Sequence, residues 1–151
     1  MIVEKQIEDA IIAKLEALDL PGVRVTGAWK SVADGEVKGE GDTSSAVLAV
    51  AVNPRSYDGF MSQQADFNCA VALVVRRESC PTGSEVEEFT EALFQLFDTW
   101  NRDEDAVYTD LETDGFQPAG LQLSGGEGPL YDEATCTWMV EQSFKLRGFF
   151  K

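Results

Sequence analysis

The chain has 151 residues, of which 44% are hydrophobic and 26% charged, a composition typical of a single globular domain over 1–151. Its 27 Asp and Glu residues outnumber 12 Lys and Arg residues, for a formal net charge of −15. Such a surface disfavours binding to nucleic acid and to anionic membranes, because both attract basic groups. Because of this charge, we predict neither specific nucleic-acid binding nor membrane association. Histidine, the most common general base in enzymes, is absent.

The first segment is predicted to be an amphipathic helix that ends before Pro21 and Gly22. Its apolar residues recur at three- and four-residue spacing on one side. The acids assigned to its solvent side are Glu4, Glu8, Asp9 and Glu16. Alternating residues then predict a short strand over 23–27, and the polar, glycine-rich residues 34–45 predict a mobile surface loop.

Two continuous apolar strands follow, over 45–53 and 66–77, and both are predicted to lie centrally in a sheet. The connector 54–64 is longer than a tight hairpin, which predicts a projecting arm. Apolar side chains at a loop tip either fold back on the domain or contact a partner. The candidate interface residues on this arm are Tyr57, Phe60 and Met61.

The second helix has a clear start, because Ser84 and Glu87 form an S-x-x-E capping box. Its apolar stripe runs to Trp100. After a polar stretch, the sequence predicts a short strand over 121–123, a hairpin turn in the glycine-rich residues 124–129, and a last strand over 135–147. A phase slip near Gln142 indicates a β-bulge in that last strand.

Strands joined as hairpins around two helices predict the fold class. We expect an α+β, two-layer fold, with a mainly antiparallel sheet, two helices packed on one face and a long hairpin arm.

Residues 101–112 place oxygen-bearing side chains at positions one, three, five, nine and twelve of an EF-hand loop. Two departures count against calcium. Asn101 stands where Asp is expected, and Ala106 where glycine makes the sharp turn. Residues after Glu112 also lack a pattern for the exiting helix. We therefore predict a solvated acidic loop, with a calcium site as the alternative.

The three cysteines, Cys69, Cys80 and Cys136, are an odd number without a C-x-x-C pair. Cys69 and Cys136 lie in apolar strand patterns and are predicted to pack as small hydrophobes, as in a reducing cytoplasm. A Ser-His-Asp triad is impossible without histidine. We predict no catalytic residues, no cofactor and no metal; a carboxylate-dependent hydrolase is the remaining form that an enzyme would take.

The negative charge is concentrated between residues 85 and 114, where Arg102 is the sole basic residue. The acids there are Glu85, Glu87, Glu88, Glu91, Asp98, Asp103, Glu104, Asp105, Asp110, Glu112 and Asp114. This stretch is either a solubilising face or a surface that lies close to a polyanion without adhering to it.

Four stretches carry a resemblance to a known group of proteins: 2–18, Ala46–Val52 with its long arm, 97–100 at the end of the capped helix, and 138–146. In this order they resemble the tail-terminator and minor-tail (neck) proteins of long-tailed bacteriophages and prophages, over most of the chain. The resemblance is one of layout rather than of a signature motif.

The resemblance implies an α+β subunit of a six-membered ring that caps the tail tube, with DNA passing through its centre and with no catalysis. The implied partners are other copies of the chain and other tail or neck proteins. The implied location is the cytoplasm during assembly and the virion afterwards.

An acidic bacterial adaptor or immunity-like module that recognises a basic protein would explain the net charge equally well. That alternative predicts a salt-sensitive complex with one basic partner, whereas the phage interpretation predicts self-assembly.

Overall fold

A computed structural model describes residues 2–29, 46–58, 61–76 and 83–151. In chain order its elements are α1 (Val3–Glu16), β1 (Val23–Gly27), β2 (Ala46–Val52), β3 (Ser56–Asp58), β4 (Met61–Arg76), α2 (Gly83–Arg102), α3 (Glu104–Leu111), β5 (Phe116–Asp132) and β6 (Thr137–Phe150). The predicted loop over 34–45 lies outside the described residues.

The strands form one sheet in the order β1-β2-β4-β6-β5, with the short β3 paired to β4. β1 runs parallel to β2 and the other pairings are antiparallel. The predicted α+β, two-layer architecture is confirmed. A third helix, α3, joins the two that were predicted.

Alternation along the strands places one face of the sheet under the helices. In β2, Leu48, Val50 and Val52 are buried, whereas Ala49 and Ala51 between them are exposed. The helices close this core with aromatic side chains. Trp100, 1% exposed, contacts the ring of Phe97 from its own helix and that of Phe144 from β6. The opposite face of the sheet carries no described helix.

The predicted solvent side of α1 is wrong for two of its acids, because Glu4 and Glu8 are buried. The backbone N–H of Trp29 donates to Glu8 Oε2 at 3.0 Å. A Cβ at Gly27 would overlap the Glu8 carboxylate, so the Glu8 side chain packs directly against the backbone of β1. The spacing of apolar residues placed the helix correctly, but the polar groups that it buries depend on β1.

Most of the acidic loop predicted over 101–112 is helical, because α2 continues to Arg102 and α3 covers Glu104–Leu111. Asp103 caps α3 by accepting hydrogen bonds from the N–H groups of Asp105 and Ala106, which satisfies donors that a helix start leaves free. Val107 and Leu111 of α3 are buried in the core. A helix over these positions cannot wrap a cation as an EF-hand loop does.

The glycine-rich residues 124–129 belong to strand β5 rather than to a hairpin turn. The turn lies between Asp132 and Thr137, where β5 and β6 join. The predicted bulge at Gln142 is also wrong, since β6 pairs with β4 without a register shift. The irregularities lie opposite, in β5, where the register shifts between Leu123 and Gly126. The Gln142 amide reaches that site and donates to the carbonyls of Ser124 and Gly125 at 3.4 Å each.

The cysteines differ from one another. Cys69 is a free, buried thiol, as predicted, and burial raises its pKa to about 12. Cys136 is disulfide-bonded and lies before β6 with a φ of 51°, so its predicted packing as a small hydrophobe in a strand is wrong. Cys80 lies outside the described residues.

Gly148 in β6 is required by the close packing of β5. A Cβ there would overlap the carbonyl oxygen of Gln117 and the ring of Phe116. We expect Gly148→Ala to lower the free energy of unfolding by about 1–3 kcal/mol, measured by urea denaturation. Gly120→Ala is the matched control, because its Cβ would meet no atom within 4 Å. Equal effects of the two substitutions would contradict this account.

Candidate interaction surfaces

The predicted arm is a hairpin of β3 and β4. Ser56 pairs with Asp66, Tyr57 with Ala65, and Asp58 with Met61. The strand predicted over 66–77 therefore begins earlier, at Met61. Of the candidate interface residues, Tyr57 and Met61 lie at paired positions near the hairpin end, whereas Phe60 lies outside the described residues. The side chains of residues 57–62 are also outside the description, so a role in contact stays a prediction.

The base of this hairpin is tied to α1 by an ion pair. Arg55 Nε donates to Glu4 Oε2 at 3.1 Å and its terminal nitrogen Nη2 to Glu4 Oε1 at 2.6 Å, while the Arg55 backbone N–H donates to Oε2 at 3.2 Å. The guanidinium also lies over the ring of Phe150, with Cζ 4.5 Å from the centroid. Hydrogen bonding from Arg55 lowers the pKa of Glu4, against burial, which raises it. The contact fixes where the hairpin leaves the domain.

The solvent side of α2 and α3 forms an acidic helical surface. Its exposed residues are Glu87, Glu88, Glu91, Asp98, Asp103, Glu104 and Asp105, with Arg102 between them. A further acid of α3, Asp110, is turned inward, where its Oδ2 accepts from the Trp100 indole at 2.8 Å and its Oδ1 lies 3.2 Å from Lys14 Nζ. Asp110 therefore joins the three helices, while Glu87, Glu88, Glu91 and Asp98 are exposed to solvent.

The face of the sheet that the described helices leave uncovered is the open sheet face. Paired strand residues share a face, so its middle is apolar: Val47 pairs with Val74, and Ala49 with Ala72. Met139, 37% exposed, extends the row of Val74. The charged residues on this face are Asp66, Arg76, Glu127, Asp132, Glu141, Lys145 and Arg147. Three cations and four anions nearly balance here, unlike on the acidic helical surface.

Asp66 and Arg147 form a forked ion pair on the open sheet face, with Arg147 Nε to Asp66 Oδ1 at 2.7 Å and Nη2 to Oδ2 at 3.0 Å. Hydrogen bonding from Arg147 lowers the pKa of Asp66, and the charge of Lys145 contributes. The fork neutralises Asp66, so Lys145 and Glu141 carry the charge in the middle of β6.

A cavity of about 360 Å³ opens between the end of α1 and β1. Apolar walls from Leu15 and Leu20 meet the polar residues Glu16, Asp19 and Arg24 there. Among the described residues, no group of acids and cysteines is arranged to hold a metal ion. None of the described helices is long and apolar enough to cross a membrane.

No family model matches the chain, and no curated protein matches it. A solved structure described as "Virion of native gene transfer agent (GTA) particle" contains a similar chain at 16% identity and a TM-score of 0.49, covering 97% of this chain and 91% of that chain.

Proposed function

We propose that this chain is a non-catalytic structural protein of a phage or prophage virion, in the tail or the head–tail neck. It acts as one domain over 1–151 and forms a ring of the tail-terminator kind, assembled in the cytoplasm with other tail or neck proteins. The observation that carries the proposal is the division of charge between the acidic helical surface and the balanced open sheet face.

An acidic surface suits a passage for DNA. Duplex DNA carries one negative charge per ~1.7 Å of its axis, and a basic wall holds it by releasing counterions. The exposed acids of α2 and α3, such as Glu88 and Glu91, offer no such attraction. Because charges are screened over ~8 Å at physiological salt, this wall prevents adhesion without having to drive DNA away. We propose that the acidic helical surface faces the channel.

A ring needs two different patches that meet head to tail. We propose that the β3–β4 hairpin supplies one of them through Tyr57, Phe60 and Met61. The ion pair of Glu4 with Arg55 supports this role, because it fixes the hairpin base against α1. A fixed base reduces the ordering cost when a hairpin docks on a neighbour.

Sedimentation velocity and electron microscopy of the purified chain test the proposal. We expect concentration-dependent closed rings that do not retain duplex DNA. Replacing Phe60 and Met61 by aspartate should abolish the rings, because charges would then be buried in the contact. The control Ile2→Asp changes another apolar side chain, 47% exposed, and should leave the rings intact. Rings formed equally by the double variant would remove the hairpin from the contact.

The adaptor alternative is favoured by the same acidic helical surface, since basic proteins are attracted to it. It predicts a single basic partner whose complex weakens as salt rises. If the chain forms no ring and binds such a partner, the adaptor function replaces the virion proposal.

A further inference from the structure

The open sheet face is suited to a partner that is itself acidic. The cations on it, Arg76, Lys145 and Arg147, nearly balance its anions, which are Asp66, Glu127, Asp132 and Glu141. The chain as a whole carries −15, so two copies repel over most of their surfaces. A basic partner is drawn instead to the acidic helical surface. Charge therefore favours contact between two copies through the balanced face.

The charges in the middle of β6 are self-complementary. Glu141 and Lys145 point to the open side at equal distances from Ser143, which pairs with Ala70 of β4. In the described part of the chain, neither Glu141 nor Lys145 belongs to an ion pair. If a second copy lies face to face with its strands reversed, each Glu141 lies opposite the other copy's Lys145.

We propose that two copies of this chain pack through their open sheet faces, about a two-fold axis that crosses the strands along the row of Ala70 and Ser143. Such a contact presents the same patch on both copies. It differs from the head-to-tail ring contact and does not depend on it.

Side-chain size along the axis supports the contact. Ala51 pairs with Ala70, and Ala70 with Ser143, so small residues meet where the sheets come closest. Packed sheets lie ~10 Å apart, a gap that the longer Glu141 and Lys145 side chains can bridge from both sides. Met139 contributes exposed apolar area beside them.

The area is sufficient for a stable dimer. With strands ~4.8 Å apart and a rise of ~3.4 Å per residue, five strands and the β4–β6 ladder from Gln64 to Arg76 offer roughly 800 Å². A standard interface buries ~800 Å² from each partner.

Charge reversal tests the contact by sedimentation velocity over a concentration series. Glu141→Lys alone sets lysine against lysine at both symmetric sites, and Lys145→Glu alone sets glutamate against glutamate. We expect each single variant to lose at least about tenfold in dimerisation constant, because like charges facing each other are costly. Mixing the two variants restores both ion pairs, so dimers should reappear in the mixture.

Controls on the acidic helical surface match the change of net charge: Glu88→Lys for Glu141→Lys, and Arg102→Glu for Lys145→Glu. Both should dimerise like the wild type. Ser143→Trp blocks the close approach without changing charge, and should also prevent dimerisation; thermal unfolding of every variant verifies the fold.

Higher salt should strengthen the wild-type dimer, because it screens the repulsion between two acidic bodies. The inference is overturned if the wild-type chain stays monomeric at every protein and salt concentration. It is also overturned if the single variants dimerise like the wild type, or if their mixture dimerises no more tightly than each variant alone. If the chain forms rings and the charge-reversal variants dimerise like the wild type, the proposed contact is wrong and the proposed function stands.

Discussion

Replacing Trp100 by alanine is expected to lower the free energy of unfolding by about 3–5 kcal/mol, the usual cost of removing a buried large aromatic side chain. Trp100 is 1% exposed and lies 6.0 Å from the ring of Phe97 and 6.2 Å from that of Phe144, centroid to centroid. Its loss opens a cavity where α2 packs on β6. Urea denaturation followed by far-UV circular dichroism measures the change.

Trp100→Phe separates packing from hydrogen bonding. It keeps an aromatic ring but removes the indole N–H that donates to Asp110 Oδ2. Asp110 retains Lys14 as a partner, so we expect a loss of only about 1–2 kcal/mol. An alanine variant no less stable than the phenylalanine variant would show that the core does not depend on this ring.

The sequence predicted those elements in which the buried residues recur at a regular spacing. A stripe at helical spacing located α1 and α2, because the residues that face the sheet recur every three or four positions. Continuous apolar runs located β2 and most of β4. The burial of Trp100 followed from the same stripe. These patterns arise because each element contacts the core along its whole length.

Elements whose stability depends on distant partners were missed. β5 runs through the glycine-rich residues 124–129, where local propensity favours a turn, because it is paired to β6 over most of its length. The short α3 looked like a loop, since Glu104 and Asp105 face solvent and few apolar residues, among them Val107, reach the core. The Asp103 cap was the one local sign of a helix start there.

The candidate surfaces were only partly accessible to sequence reasoning. The acidic helical surface followed from charge counting, but the balance on the open sheet face depends on which strands are neighbours. Glu4 and Arg55 are 51 residues apart, and their pairing follows from the position of α1 beside the hairpin base. Local spacing therefore placed Glu4 in solvent, where a lone carboxylate is stable, instead of in its buried ion pair.

Arg55→Ala is expected to lower the free energy of unfolding at neutral pH by about 3 kcal/mol, because it leaves a buried carboxylate without the cation that neutralises it. The Glu4 side chain is 8% exposed and that of Arg55 28%. Arg147→Ala is the control, since it removes an equally forked pair whose arginine is 47% exposed; there we expect a loss of no more than about 1 kcal/mol.

The pH dependence separates the ion pair from packing against Phe150. Because Arg55 lowers the pKa of Glu4 in the folded protein, the pair stabilises the fold fully above the unfolded pKa of ~4.3. That contribution is lost as pH falls through the lowered folded pKa. Arg55→Ala removes the largest cause that lowers the pKa of Glu4, so the difference in unfolding free energy between wild type and variant should narrow in acid. A gap that stays constant across this range, in paired urea titrations, would mean that Arg55 acts by packing, and the ion pair would then not be what fixes the hairpin base.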